Sequence, residues 1–221
     1  MRSERAAPLA SRRSGPDAAA VDFRRAAPTA PTSPLSWRPA GALEVSAAMT
    51  PDELRAKIRE IPDFPKPGIL FYDITTLLKE ADPYRASIDA MLAPYATEKV
   101  DVVVGMESRG FIFSAPMAYQ LGAGLVPVRK LGKLPAETIS VEYALEYGSN
   151  TLEIHRDAIQ PGQRVLIVDD LLATGGTVRG TVDLVERLQG TIVGLAFLVE
   201  LSFLKGRDRL AGQAVTSVIK Y

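Results

Sequence analysis

The chain has 221 residues, no cysteine, and 26 basic against 26 acidic side chains. Disulfides and a thiolate nucleophile are therefore excluded, no apolar run is long enough to cross a bilayer, and zero net charge offers no broad basic face to nucleic acid. A chain of this size can bury roughly 70% of its unfolded surface.

Residues 1–48 are rich in Ala, Pro, Ser and Arg and lack sustained apolar periodicity. Seven Arg against four acids give them a charge of +3, leaving −3 on the remainder. Such a segment cannot recover the entropy lost on ordering. It is predicted to be a disordered extension, with Trp37 exposed, ahead of a domain spanning 49–221. Its Arg and Ser lend it transit-peptide character, but frequent Pro and the acids Glu4, Asp17 and Asp22 interrupt this, and a start at Met49 fits equally well. The absence of cysteine suits a reducing compartment, so a cytoplasmic location is expected.

Order is predicted to begin at Thr50, which forms a capping box with Glu53, with Pro51 at the first helical position. Leu54, Ile58 and Ile61 supply a helical stripe. Pro62, Pro65, Pro67 and Gly68 enforce an irregular connection. A second helix opens at Asp82 or Pro83 and carries Ile88, Met91 and Leu92. A strand follows at 100–104, a helix at 110–121 and a strand at 124–128. Residues 130–156 alternate polar and apolar groups around Gly148, Ser149 and Asn150, as in a hairpin or flap. The run 165–168 reads as a strand buried on both faces. The next helix buries Val178, Val182, Val185 and Leu188 and turns Arg179, Asp183, Glu186 and Arg187 outward. Strands at 192–200 and 215–219 complete the chain. Strands alternating with helices predict an α/β fold, a parallel sheet with helices on both faces. Ligands of such sheets bind beyond the carboxyl ends of the strands. The loops after Val104, Val128 and Val168 all leave such ends.

The last of these loops carries the most information. In RVLIVDDLLATGGT (164–177) an apolar strand runs into Asp169 and Asp170, then into Ala173, Thr174, Gly175, Gly176 and Thr177 at a helix start. Backbone N–H groups and threonine hydroxyls there suit a phosphate. The two carboxylates can accept hydrogen bonds from a sugar diol or orient a hydrated Mg²⁺. Regular strand geometry would send the two acids to opposite faces; either the chain turns at Asp170 or only one of them meets the sugar. Neither G-x-x-x-x-G-K-[ST] nor G-x-G-x-x-G fits the chain.

This loop resembles the phosphoribosyl-pyrophosphate loop of type I phosphoribosyltransferases, and DDLLATGGT resembles the members that act on adenine. The resemblance continues through FPKPGILFYDIT, GMESRGFIF, PVRKLGKLP and LEYGSNTLEIHRDAI, and covers nearly everything from Met49 onward. It implies the parallel-sheet fold of that family with a flexible flap. The implied substrates are 5-phosphoribosyl 1-pyrophosphate and adenine, and the implied products AMP and pyrophosphate. Mg²⁺ would be bound mainly through the substrate's pyrophosphate rather than directly by the protein. A homodimer is implied, with no nucleic-acid or membrane partner.

Residue by residue, the resemblance puts the 5-phosphate on 173–177 and the ribose on Asp169 and Asp170. It puts the pyrophosphate on Ser108 and Arg109, assisted by Arg129, Lys130 and Lys133. A cation at a helix start is disfavoured by the helix dipole, so Arg109 points to an anionic partner; the 129–133 cluster also reads as a solvated turn. Glu146 matches the family's proton-handling acid, although by itself it reads as an exposed strand acid, and Tyr147 closes over the site. The base would lie at Leu70, Phe71 and Tyr72, with Phe71 supplying a stacking face or ordinary core packing. Many relatives carry Arg where this chain has Tyr72, so a role carried by that Arg does not transfer. His155, the single histidine, has no second ligand at metal spacing and reads as structural. Another purine base, or a regulator that binds phosphoribosyl pyrophosphate without turnover, are the competing functions. The leader has no helix-turn-helix pattern and Glu146 is retained, which favours an enzyme.

Overall fold

A reciprocal cap opens the domain. Thr50 Oγ1 accepts from the Glu53 N–H (3.3 Å) and the Glu53 carboxylate accepts from the Thr50 N–H (2.8 Å), with Pro51 in the first turn of helix α1 (Pro51–Arg55). This computed structural model describes residues 49–144 and 149–221. The expectations for 1–48, including Trp37, and for Glu146 and Tyr147 lie outside the described residues. Helix α1 is shorter than its apolar stripe predicts. Ile58 is buried beyond the helix end, and Ile61 belongs to strand β1 (Arg59–Ile61), which pairs antiparallel with β2 (Phe71–Asp73). The ladder takes the residues that the helical spacing had claimed.

A four-residue helix, α2 (Thr75–Leu78), goes unsignalled by periodicity; the Asp73 carboxylate starts it by accepting from the Thr75 N–H (2.9 Å). Helix α3 (Ala81–Leu92) buries Pro83, Ser87, Ile88 and Met91. Strand β3 (Val102–Met106) lies two residues later than predicted and is buried throughout. Helix α4 (Gly110–Leu121) has the predicted bounds. The remaining elements are β4 (Gly124–Lys130), β5 (Thr138–Ala144), β6 (Ser149–His155), β7 (Arg164–Leu172), α5 (Gly176–Arg187), β8 (Thr191–Glu200) and β9 (Val215–Lys220).

The seven-stranded sheet has the order β5-β6-β4-β3-β7-β8-β9. Strands β4, β3, β7, β8 and β9 are parallel. The predicted hairpin is β5–β6, joined antiparallel to β4. Alternation along the central strands sorts the core into two layers. Val103, Leu166 and Val168 face Leu54, Leu77, Ile88 and Phe113. Val102, Val104, Val165 and Ile167 face Val178, Val182 and Val185 of α5 and Val141, Leu152 and Ile154 of the hairpin. Both faces are therefore covered, and burial of each such side chain is worth about 1.5–3 kcal/mol.

Asp73 ties β2 to β1. Arg59 donates to its carboxylate through Nε (3.2 Å) and Nη2 (2.5 Å). These bonds, with those from Thr75, hold its pKa at about 2. A depressed carboxylate stabilises the fold above its unfolded pKa and loses that contribution as pH falls through its folded value. Asp73→Asn should therefore cost about 1–2 kcal/mol at neutral pH, discounted for the exposure of Arg59. The gap to the parent chain should close between about pH 4 and pH 2. Urea unfolding of both chains across that range checks this; a gap independent of pH would refute it.

Candidate active site

Strand β7 does not end at Val168 as predicted but continues through Asp169 and Asp170 to Leu172. Its pairing with β3 stops at Gly105↔Val168, whereas its pairing with β8 continues to Leu172↔Glu200. One flank of β7 is thus open where the acids lie, and both residues line the crevice there. The chain therefore does not turn at Asp170, and both acids belong to the strand. The cleft has a volume of about 430 Å³ and gathers Glu107, Ser108 and Arg109 from beyond β3, Lys130 from β4, and Asp169, Asp170, Leu171, Ala173 and Thr177 from β7 and its loop. The three loop ends converge as the sheet topology requires.

Arg109 Nε stands 2.8 Å from Asp170 Oδ2, and Asp170 is only 5% exposed. Asp169 Oδ1 accepts from the Asp170 N–H at 2.9 Å. Gly110 permits this arrangement. A Cβ there would stand 2.7 Å from Asp169 Oδ1 and 3.0 Å from the Val168 carbonyl oxygen, so α4 could not approach β7 with any larger residue. Burial pushes Asp169 up in pKa, and the charge of Asp170 adds to that; burial also raises Asp170, while Arg109 pulls it back. One cation serves two adjacent acids, so the site is short of positive charge beside Asp169 and Asp170.

The 173–177 turn leads into α5, with Gly175 in the left-handed region (φ 80°) as the N-cap of that helix. The N–H groups of the first helical turn have no partner within the helix. Ala173 and Thr177 reach the cleft, and Thr177 Oγ1 lies 3.4 Å from the Tyr143 hydroxyl of β5.

The 129–133 cations divide. Lys130 lines the cleft, whereas Arg129 and Lys133 are not among its lining residues. The Arg129 guanidinium donates to Glu107 (3.2 and 3.4 Å) and to the Lys133 carbonyl (3.1 Å), so its charge is satisfied within the protein. Glu107 also accepts from the Lys130 N–H (3.1 Å). The buried Glu153 accepts from the N–H groups of Lys133 and Leu134 (2.8 and 2.9 Å), which anchors the turn after β4.

Neither aromatic of β2 is among the residues lining the cleft, and the two face different ways, as strand alternation demands. Phe71 packs edge-on against Phe64 (5.1 Å between centroids), with the Arg109 guanidinium 5.7 Å from its ring. Tyr72 instead packs its ring on Tyr221, 3.9 Å away, and is not brought to the cleft. Ile69 and Leu70 are exposed. His155 ends β6, and no group of three metal-type ligands exists among the described residues.

Sequence reasoning missed Tyr143 and Asn150, which form a cross-strand pair and both line the cleft. Their signal was the period-2 run Ile139, Val141, Tyr143, which puts Tyr143 on the same face as the buried Val141. Glu107 lies in the GMESRGFIF stretch that carries the resemblance, but nothing in the sequence signals its pairing with Arg129.

Comparison with known proteins bears on this geometry. The phosphoribosyl transferase domain family matches residues 75–218. The adenine phosphoribosyltransferase of Acidobacterium capsulatum is 59% identical over 170 residues, covering 77% of this chain and 94% of that one. The adenine phosphoribosyltransferase of Chloroflexus aurantiacus is 57% identical over 173 residues, 78% of this chain and all of its own. Among solved structures, the adenine phosphoribosyltransferase of Thermoanaerobacter pseudethanolicus superposes with a TM-score of 0.74 at 55% identity, covering 78% of this chain and 100% of that one. The Saccharomyces cerevisiae enzyme, solved with adenine and an imino-altritol bisphosphate, gives 0.73 at 40% identity, covering 76% and 98%.

The electrostatics of the acid pair carry a testable cost. Groups whose pKa is raised by folding bind protons more tightly in the native state, so their contribution to stability falls as pH rises through the raised value. Asp169→Asn keeps the acceptor for the Asp170 N–H and removes one of the crowded charges. It should raise the melting temperature of the ligand-free protein at neutral pH, by about 2–4 °C for relief of about 1 kcal/mol, and the gain should shrink in acid. Thermal melts across pH check this; a variant less stable than the parent at every pH would contradict it.

Proposed function

The chain belongs to the phosphoribosyl transferase domain family, and from that premise we propose that it joins adenine to 5-phosphoribosyl 1-pyrophosphate, giving AMP and pyrophosphate. The observation that carries this is the meeting of the acid pair, Ala173 and Thr177 of the 173–177 loop, Ser108, Arg109 and Lys130 in one cleft. A phosphorylated sugar with a second anionic group at its far end matches that order of charges. Adenine as the base is supported by the names of relatives 57–59% identical to this chain.

The 5-phosphate accepts hydrogen bonds from the amides of 173–177 and from the hydroxyls of Thr174 and Thr177. The ribose hydroxyls donate to Asp169 and Asp170. Arg109 neutralises Asp170 before substrate arrives and, with Ser108 and Lys130, offers positive charge and donors to the pyrophosphate as it departs. The cleft carboxylates are hard oxygen donors too few to cage a metal alone, which fits an Mg²⁺ carried by the substrate. Asp169 and Asp170 would orient the water shell of that ion, which when bound would offset charge on the leaving group.

Displacement at the anomeric carbon passes through an oxocarbenium-like state. We assign Glu146, between β5 and β6, to stabilising that charge and handling the proton of the base, and Tyr147 to closing the site. Leu70 and Phe71 border the base, with Phe71 beside Arg109. Catalysis is assigned to 49–221, with 1–48 as an extension. A homodimer in the cytoplasm belongs to the same proposal; among the described residues no helix is long and apolar enough to cross a membrane.

Purified protein supplied with phosphoribosyl pyrophosphate, Mg²⁺ and adenine, hypoxanthine or guanine should use adenine best. Preference for an oxopurine would replace the base assignment, and substrate binding without product would make the protein a sensor. Glu146→Gln should lower kcat by about 10²–10⁴-fold, the usual worth of a positioned acid or base, with much smaller changes in KM. Unaltered kcat removes Glu146 from the mechanism.

A further inference from the structure

The loop 173–177 is braced by a segment distant in sequence. After β8 the chain passes through two short 3-10 turns, Ser202–Leu204 and Gly206–Leu210. The Leu201 N–H donates to the Leu172 carbonyl (2.9 Å), so this segment is attached at the residue before the loop. Gly206 then packs its backbone against the loop's backbone. A methyl group at Gly206 would drive into the Ala173 carbonyl oxygen and stand 3.1 Å from the Gly175 nitrogen; one at Gly175 would meet the Gly206 carbonyl oxygen at 2.5 Å. Contacts this close between two backbones allow neither side a Cβ.

The neighbour of Gly206 is clamped. Arg207 donates through Nε and Nη2 to the two oxygens of Glu200 (2.7 and 2.8 Å), through Nη1 to the Val215 carbonyl (3.0 Å), and through Nη2 to Ser217 Oγ (2.9 Å). Ser217 also bonds the Glu200 carboxylate. Glu200 is 5% exposed, and Arg207 holds its pKa down. Desolvating such a pair is costly unless its bonds are well made, and a two-pronged fork fixes direction as well as distance. None of these residues lines the cleft.

We propose that Gly206 and the Arg207–Glu200 fork are positioning residues that set the shape of the 173–177 loop, and through it the affinity for the substrate's 5-phosphate. The inference rests on the proposed function of that loop. Gly206→Ala in the full chain should raise KM for phosphoribosyl pyrophosphate, and Kd for ribose 5-phosphate, by about tenfold or more, a loss confined to interactions made alike in ground and transition states. KM for adenine and kcat at saturation should change by less than about threefold. Arg207→Met should show the same selective loss and Arg207→Lys part of it, since lysine keeps the charge without the fork. Should Gly206→Ala fail to fold in a thermal melt, the two Arg207 variants decide the matter. Folded variants with unchanged affinity for both phosphorylated ligands, or with adenine and phosphoribosyl pyrophosphate affected equally, overturn the proposal while leaving the function of the cleft intact. Parent protein that neither binds ribose 5-phosphate nor makes AMP overturns both.

Discussion

Strand β7 has a different length of partner on each side. Toward β3 its ladder ends at Val168; toward β8 it runs four residues further, to Leu172. That asymmetry makes the crevice. It leaves the two adjacent acids on the unpaired flank of the strand, where both border the crevice although Asp170 is only 5% exposed. It leaves the loop after β3 free to fold back, so that Arg109 reaches Asp170. It also aims the end of β7 directly into α5, where the amides of the helix start complete the pocket.

The same geometry sets the electrostatic problem of the site. Two carboxylates share one nearby guanidinium, and Arg129, which composition would count as a second cation, is already matched to Glu107. The cleft is therefore acidic at Asp169 and Asp170, with Lys130 and Arg109 toward Ser108. A ligand that brings hydroxyl donors to the acids and negative charge to the cations relieves both. Functional sites commonly carry such internal conflict, resolved only by what binds.

Much of this was legible in the sequence, for identifiable reasons. Helix α4 was read to the residue because a buried strand and a glycine-terminated apolar stretch bound it on either side. The 164–177 run was legible because strand, acids and small-residue turn occur consecutively in the chain. What could not be read depended on pairing. The length of β7 is decided by β8; the early end of α1 by β2; the split between Phe71 and Tyr72 by which face of β2 meets Tyr221. The fate of Arg129 was hidden because a cation's partner is a matter of tertiary approach, and Glu107 is 22 residues away. Tyr143 was not legible because only the packing of the hairpin on α5 brings that strand's inward face to Thr177.

Glu107 accepts from the guanidinium of Arg129 and from the amide of Lys130, and it immediately precedes Ser108. The end of β4 and the loop beyond β3 are therefore joined into a single rigid jaw rather than two independent fingers. An anion seated against one of them already finds the other at its working distance, with no search left for the lysine's backbone to make. In the proposed function, recognition at this end of the crevice is thus a property of a preassembled frame, built by an acid of the same sign of charge as the guest.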